Sequence, residues 1–300
     1  MSEKFINGRL IILSGLSGSG KTVALHMLED LGYYCIDNLP ARLLKTFAME
    51  TAATRDPKYK NMAIGIDARN DAEDIDALPG VLDELRASDL NVEIIFLSAD
   101  QETLFMRYSE TRRKHPLSDE DRSLRDAIRQ ETGLLAPLAE QADLSIDTTH
   151  TSVHELRELI RMRMHHEASA NLSILVESFA FKHGVPGDAD FVFDVRCLPN
   201  PYWEPGLKDF TGKDREVIDY LESQDDVKAM LRDILELLKT WLPKFIAGNR
   251  SYMTIAIGCT GGQHRSVYFA ERIAASLQEQ YSHVVVRHIA FDNKTWLLRP

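Results

Sequence analysis

Residues 9–22 read RLIILSGLSGSGKT, and this stretch decides the fold. Its opening, RLIILS, is apolar without alternation, the pattern of a strand buried on both faces of a parallel sheet. Gly15, Leu16, Ser17, Gly18, Ser19, Gly20, Lys21 and Thr22 then fit G-x-x-x-x-G-K-[ST], and Val23, Leu25 and Leu28 follow at helical spacing. Glycines let the chain curl so that successive backbone N–H groups point inward, and the helix adds the positive end of its dipole. The product is a phosphate cradle. Lys21 reaches toward β- and γ-phosphates, and the Thr22 hydroxyl is placed to ligate Mg²⁺. The alternative, a turn that only tightens a strand–helix junction, is disfavoured by the matched strand and helix on either side.

Outward from this turn, apolar runs at 33–37, 62–67, 92–98 and 144–147 read as further strands, with helical patterns starting near Thr22, Ala41, Ile75, Gln101 and Asp119. Such alternation implies an α/β fold, a kinase-like parallel sheet wrapped by helices. A charged helical stretch, TTHTSVHELRELIRMRMHHEAS, leads to a second series: strands at 172–178, 191–195, 253–259 and 283–288, and helices at 215–220, 227–245 and 266–280. The expected boundary lies near residue 168, dividing a nucleotide-binding domain, 1–168, from a second α/β domain, 169–300. The segment RCLPNPYWEPGLKDFTG is a long proline-rich loop.

At 300 residues the chain is long enough for two ordinary domains. No stretch approaches the ~18 to 20 apolar residues of a membrane span, so no membrane partner is expected. The start, MSEKFINGRL, lacks the apolar segment of a signal peptide. Cys35, Cys197 and Cys259 are odd in number and scattered, without a metal-ligand pair, which points to a reducing cytoplasm. A formal net charge of -11 excludes whole-surface attraction to nucleic acid; any RNA contact must be regional.

A P-loop calls for a carboxylate at the end of a neighbouring strand to hold the metal's water shell. Asp67, closing MAIGID, is preferred because the run before it is cleaner; Asp37, closing YYCID, is the alternative. Lys21 and Asp67 are thus the candidate catalytic residues. In SETRRKHPL, Arg112, Arg113, Lys114 and His115 lie at a helix end, either to close over phosphates or to neutralise the helix dipole. Guanine-specific N-K-x-D is absent, since Asn293-Lys294 runs into Thr295-Trp296.

A second strand–turn–helix, IAIGCTGGQHRSV at 255–267, lacks the P-loop lysine. Ser266 is expected to cap its helix. Cys259 and Arg265 match C-x5-R, the cradle of cysteine phosphatases, where a thiolate attacks phosphorus and the arginine forks onto the oxygens. A tight turn with a core cysteine, an anion site that binds without cleaving, and a phosphatase with Asp194 or Asp209 as general acid all remain open. Lys182, His183, Asp194 and Arg196 lie near the ends of neighbouring strands and can converge on that turn.

Taken together, GLSGSGKT, DNLP, DARN, RRKHPL, FKHGVP, DVRCLPNPYWEPGLKDFTGKD and GCTGGQHRSV resemble, in order and over nearly the whole chain, the RapZ-like P-loop nucleotide-binding family. The resemblance implies a kinase-like N-terminal domain that binds and slowly hydrolyses ATP or GTP. It places ATP on Gly15 to Thr22 and GTP contact on Asp67, Ala68, Arg69 and Asn70. It implies a C-terminal domain similar to part of 6-phosphofructokinase, with a sugar-phosphate site at Asp194, Cys259, Thr260, Gly261 and Arg265. Glucosamine-6-phosphate, RNA, an RNase and a second copy of the chain are the partners it implies. Tyr202 stands where enterobacterial members carry histidine, and the final residues carry fewer cations than the basic tail of those members. A small-molecule kinase is the remaining alternative.

Overall fold

The computed structural model describes residues 9–292 apart from 55, 89, 112–113, 119–121, 165–171 and 249. The chain divides into two compact units, Met1–Ala168 and Ser169–Pro300.

In the first unit, β1 (Arg9–Gly15), β2 (Tyr34–Ile36), β3 (Asn61–Gly65), β4 (Asn91–Ser98) and β5 (Leu144–Asp147) form one sheet in the order β2-β3-β1-β4-β5. Every pairing is parallel. The helices are α1 (Lys21–Asp30), α2 (Leu44–Thr54), α3 (Ala72–Arg86), α4 (Gln101–Thr111), α5 (Leu124–Glu140) and α6 (Val153–Met164). All of β1 is buried, as its unbroken apolar run requires. Leu10 and Ile12 pack with Ile64, Ile94, Leu135 and Leu138, joining the sheet to α5. Parallel order brings the carboxyl ends of the strands to one edge, so the turn after β1 lies between the chain ends that follow β3 and β4. At the opposite end, Arg9 forks onto buried Glu93 at 2.8 and 3.0 Å.

In the second unit, β6 (Ser173–Ala180), β7 (Phe191–Asp194), β8 (Tyr252–Cys259) and β9 (Val284–His288) pair in parallel in the order β7-β8-β6-β9. Helices α7 (Arg215–Glu222), α8 (Asp225–Ala247), α9 (Arg265–Gln278) and α10 (Ile289–Asp292) accompany them. Val176, Ile255 and Ile257 meet Leu238, Leu242, Phe269 and Ile273 in its core. No helix among the described residues is long and apolar enough to cross a membrane.

The differences from expectation are local. The helix anticipated at Ala41 begins as a single 3-10 turn, Ala41–Leu43, before α2. The helix anticipated near Asp119 begins at Leu124, capped by Ser123, whose hydroxyl accepts the Asp126 N–H; residues 119–121 lie outside the described ones. Helix α10 carries only four residues and no periodic signal.

Candidate functional site

Gly15, Gly18 and Gly20 adopt φ of 146°, 90° and 105°. A Cβ at Gly15 would lie 2.2 Å from the Leu97 carbonyl oxygen, so this close approach of β1 to β4 admits only glycine. The first part of the turn is tied down: Leu16 N–H donates to Leu97 O and Ser19 N–H to Leu16 O, both at 3.0 Å. Among the described residues, no carbonyl takes the amides of Gly18, Gly20, Lys21 or Thr22. N–H groups so placed at the start of a helix can take an anion.

The Lys21 ammonium donates to Gly15 O at 2.6 Å. Burial pushes its pKa down, while Glu131 and Asp67 act in the other direction. Thr22 is exposed at the first turn of α1. Asp67, placed two residues past the end of β3, is buried and gripped by Arg69: Nε lies 3.0 Å from each carboxylate oxygen, Nη2 donates to Oδ2 at 2.7 Å, and the Arg69 N–H donates to Oδ1 at 3.0 Å. Burial works against the Asp67 charge, but Arg69 and Lys21 outweigh it and hold the pKa below the usual range. Ala68 is buried beside it. Asn70 accepts from Ala41 N–H at 2.7 Å and donates to Asp67 O at 3.1 Å, tying the DNLPA segment to the site. A cavity of about 160 Å³ opens there, with Arg42, Arg69 and Asn70 in its lining. Asp37 is exposed, with Arg69 3.9 Å away.

Sequence reasoning missed several contacts. Arg107 of α4 donates to Gly18 O at 3.0 Å and to the Thr148 hydroxyl at 3.0 Å, and Thr148 Oγ1 lies 3.0 Å from Ser19 O. Glu131 of α5 accepts from the Ser17 N–H at 2.9 Å and the Ser17 hydroxyl at 2.7 Å. His115, read from sequence as part of a cationic cluster, is instead buried against Glu131 at 3.1 Å. Lys114 is exposed; Arg112 and Arg113 lie outside the described residues, as does the Asn293–Lys294 pair. The one signal for Glu131 is its charge on the apolar stripe of α5, four residues from both Ala127 and Leu135.

In the second unit, the turn after β8 wraps Cys259. Its sulfur accepts the Gly262 N–H at 3.2 Å and lies 3.1 Å from Ser266 Oγ. Ser266 is therefore not the cap: the helix starts one residue earlier, His264 takes the N-cap position, and the Ser266 hydroxyl faces the sulfur. Thr260 is exposed, and nothing stands within 4 Å of a Cβ built on Gly261. Arg265 is buried; its Nη1 donates to Arg196 O and Leu198 O at 2.8 Å each, and its Nε has no partner. Asp194 pairs with Gly258 in the sheet register and is gripped by Arg196, which holds its pKa below the usual range. The Arg196 guanidinium lies 3.8 Å over the Phe181 ring. Lys182 and His183 are exposed on the 3-10 turn Phe181–His183, and Asp209 lies in the proline-rich loop. Burial drives the His264 pKa down against neighbouring carbonyls of Lys208, Phe210 and Leu207.

Residues 9–168 match the RapZ-like N-terminal domain, and residues 172–292 match the RapZ C-terminal domain. This chain belongs to the RapZ family. Among its relatives, a nucleotide-binding protein of Alkalilimnicola ehrlichii is 56% identical over 280 residues, covering 93% of this chain and 97% of the relative. A nucleotide-binding protein of Stutzerimonas stutzeri is 52% identical, covering 93% of this chain and 98% of its own length. A solved shikimate kinase of Acinetobacter baumannii, in complex with shikimate, is 18% identical, with a TM-score of 0.34 over 53% of this chain and 93% of the kinase. The RapZ-family motifs fall at the carboxyl edges of both sheets, around the two glycine-rich turns.

Proposed function

We propose that this RapZ-family protein binds ATP or GTP with Mg²⁺ on Gly15 to Thr22 and hydrolyses it slowly as part of a regulatory cycle. The observation that carries this reading is the set of unpartnered amides at Gly18, Gly20, Lys21 and Thr22, beside a lysine and a helix N-terminus. Relatives over half identical along nearly the full chain carry the name nucleotide-binding protein, which supports it. The donors suit Mg²⁺, which prefers one or two protein oxygens with water and phosphate over a closed protein cage. The Thr22 hydroxyl would hold the ion directly, and the Asp67 carboxylate would accept from its waters. Among the described residues no cluster of three or more His, Cys, Asp or Glu offers such a cage. The ion would supply charge neutralisation at the phosphates.

The second unit, in the same proposal, holds a sugar phosphate, with glucosamine-6-phosphate the first candidate. Asp194 takes a polar sugar substituent, and the Thr260–Gly261 backbone and Arg265 take the phosphate. The buried, unpartnered Arg265 Nε supports a bound anion. Binding without cleavage is the preferred reading, with thiol phosphatase chemistry at Cys259 and Arg265 the alternative. RNA and RNase adaptation, and association between copies in the cytoplasm, belong to the same reading.

The test is thermal unfolding of the full chain with each ligand. ATP or GTP should raise the midpoint only with Mg²⁺ present, and glucosamine-6-phosphate should raise it in wild type but not in Arg265→Ala. Absence of any shift at millimolar nucleotide with Mg²⁺ removes the first half of the proposal.

A further inference from the structure

We infer that Glu131 is the positioning residue of the phosphate turn, and that His115 fixes Glu131 in that role. This rests on the nucleotide reading above and adds residues from outside the motif.

The Glu131 side chain is fully buried, with 0% exposure, on the face of α5 that meets the sheet. A carboxylate in such a place is unfavourable unless it is well hydrogen-bonded. Here three of its four lone-pair directions are used. Oε1 accepts the Ser17 hydroxyl at 2.7 Å, and Oε2 accepts both the Ser17 N–H at 2.9 Å and His115 Nε2 at 3.1 Å. The ring's tautomer follows from its other side: Nδ1 accepts the Leu117 N–H at 3.1 Å and so carries no proton. The proton of a neutral imidazole must then be on Nε2, aimed at Glu131. A carboxylate thus held by three donors is a rigid post, and its charge is the leading attraction on the Lys21 ammonium.

The consequence for the turn follows from chain direction. Ser17 N–H is drawn to Glu131, away from the cradle, immediately before the amides of Gly18, Gly20, Lys21 and Thr22 that no carbonyl takes. Pinning Ser17 by both its backbone and its side chain restricts how the next residues curl, with Arg107 holding Gly18 O at 3.0 Å. Glu131 therefore preorganises the nest without touching phosphate. Loss of the post lets amides that must converge on one anion scatter, a cost that appears in binding. His115 connects this post to the RRKHP segment, so the histidine's substitution reaches the nucleotide through Glu131.

The experiment compares Glu131→Gln, Ser17→Ala and His115→Asn with wild type and Lys21→Ala in the full chain. Affinity is titrated with a fluorescent ATP or GTP analogue plus Mg²⁺, and the ligand-free thermal midpoint is measured alongside. Glutamine keeps the volume but has a single acceptor oxygen, so it cannot serve all three donors. Its affinity should fall about tenfold or more, and that of Ser17→Ala and His115→Asn by about threefold to tenfold, less than the roughly tenfold to hundredfold of a directly lost hydrogen bond to a charged group because the effect reaches the nucleotide through the turn. A group that merely satisfies the core would lower the midpoint and leave the folded protein's affinity unchanged. Folded Ser17→Ala and His115→Asn with wild-type affinity, beside a Lys21→Ala that has lost it, would overturn the inference and spare the nucleotide reading. If Glu131→Gln does not fold, these two variants decide alone. Wild type that fails to bind overturns both.

Discussion

Lys21→Ala separates stability from binding most sharply. In the ligand-free protein the ammonium makes one short bond, 2.6 Å to Gly15 O, and suffers the burial that lowers its pKa. A charge-assisted bond is worth about 1.5 to 3 kcal/mol, but its loss here is offset by removing a desolvated charge. The ligand-free protein should therefore change by about 1 kcal/mol or less, roughly 2 to 4 °C for a domain of this size. With a triphosphate bound, the same ammonium serves two phosphates, so truncation should cost about 2 to 4 kcal/mol net of the Gly15 bond, or about 30- to 900-fold in affinity. Titration of a fluorescent nucleotide with Mg²⁺ at fixed salt reads this directly. The pH dependence carries a second signature. In the free protein Lys21 titrates below its ordinary 10.5, whereas a bound triphosphate favours the charged form. Binding on the alkaline side therefore takes up a proton, and affinity falls as pH rises through the lowered value. Lys21→Ala lacks this limb. A folded variant with unchanged affinity refutes the reasoning.

Three further outcomes follow from local geometry. Gly15→Ala places a Cβ 2.2 Å from the Leu97 backbone at φ 146°, which should destabilise the first unit by about 3 to 5 kcal/mol in denaturant unfolding; a cost under about 1 kcal/mol would show that β1 and β4 can part. His264 has its pKa lowered from 6.5, so the unfolded chain binds more protons as pH falls through 6.5; stability of the second unit should decline below that pH and level off beneath the folded value, and His264→Gln should flatten the decline. Thiol alkylation at neutral pH should label exposed Cys197 first, because burial and then the Glu29 charge push Cys35 up to about 12, and Cys259 is buried; equal rates at all three sites would contradict this.

The strands were legible because parallel strands buried on both faces leave continuous apolar runs, and β1 and β8 are followed by glycine turns that name their own place. Contiguity is what made these readable. The contacts that hold the turns were not, since Glu131 and Thr148 come from chain segments more than a hundred positions away from the residues they bind. His115 was misread because a sequence shows four neighbouring polar residues and not that one of them turns inward to a buried carboxylate. Ser266 was misread because a serine before an apolar helix resembles a cap, whereas here a sulfur one turn back claims its hydroxyl. Asp67 was placed at a strand end, but β3 stops at Gly65, and the pairing with Arg69 could not be foreseen from spacing alone.

The two sheets also share a device. Asp67-Ala68-Arg69 and Asp194-Val195-Arg196 each close a clasp in which the arginine at the second position after the aspartate returns its backbone N–H, at 3.0 and 2.9 Å, and its guanidinium to the carboxylate. In both, Nη2 meets Oδ2 at 2.7 Å. Each clasp follows a strand adjacent to the one that carries the glycine turn: β3 beside β1, and β7 beside β8. The guanidinium side chains are 46% and 48% exposed, but the carboxylates differ: Asp194 is 43% exposed, where an ion pair adds little stability, and Asp67 only 7%. Opening the second clasp is therefore inexpensive, whereas opening the first leaves the buried Asp67 carboxylate without its partner. The two differ in stiffness, because only Arg196 also lies over an aromatic ring, Phe181, at 3.8 Å among the described contacts. Freeing Arg196 therefore means leaving that ring as well as Asp194, whereas freeing Arg69 leaves a buried carboxylate behind.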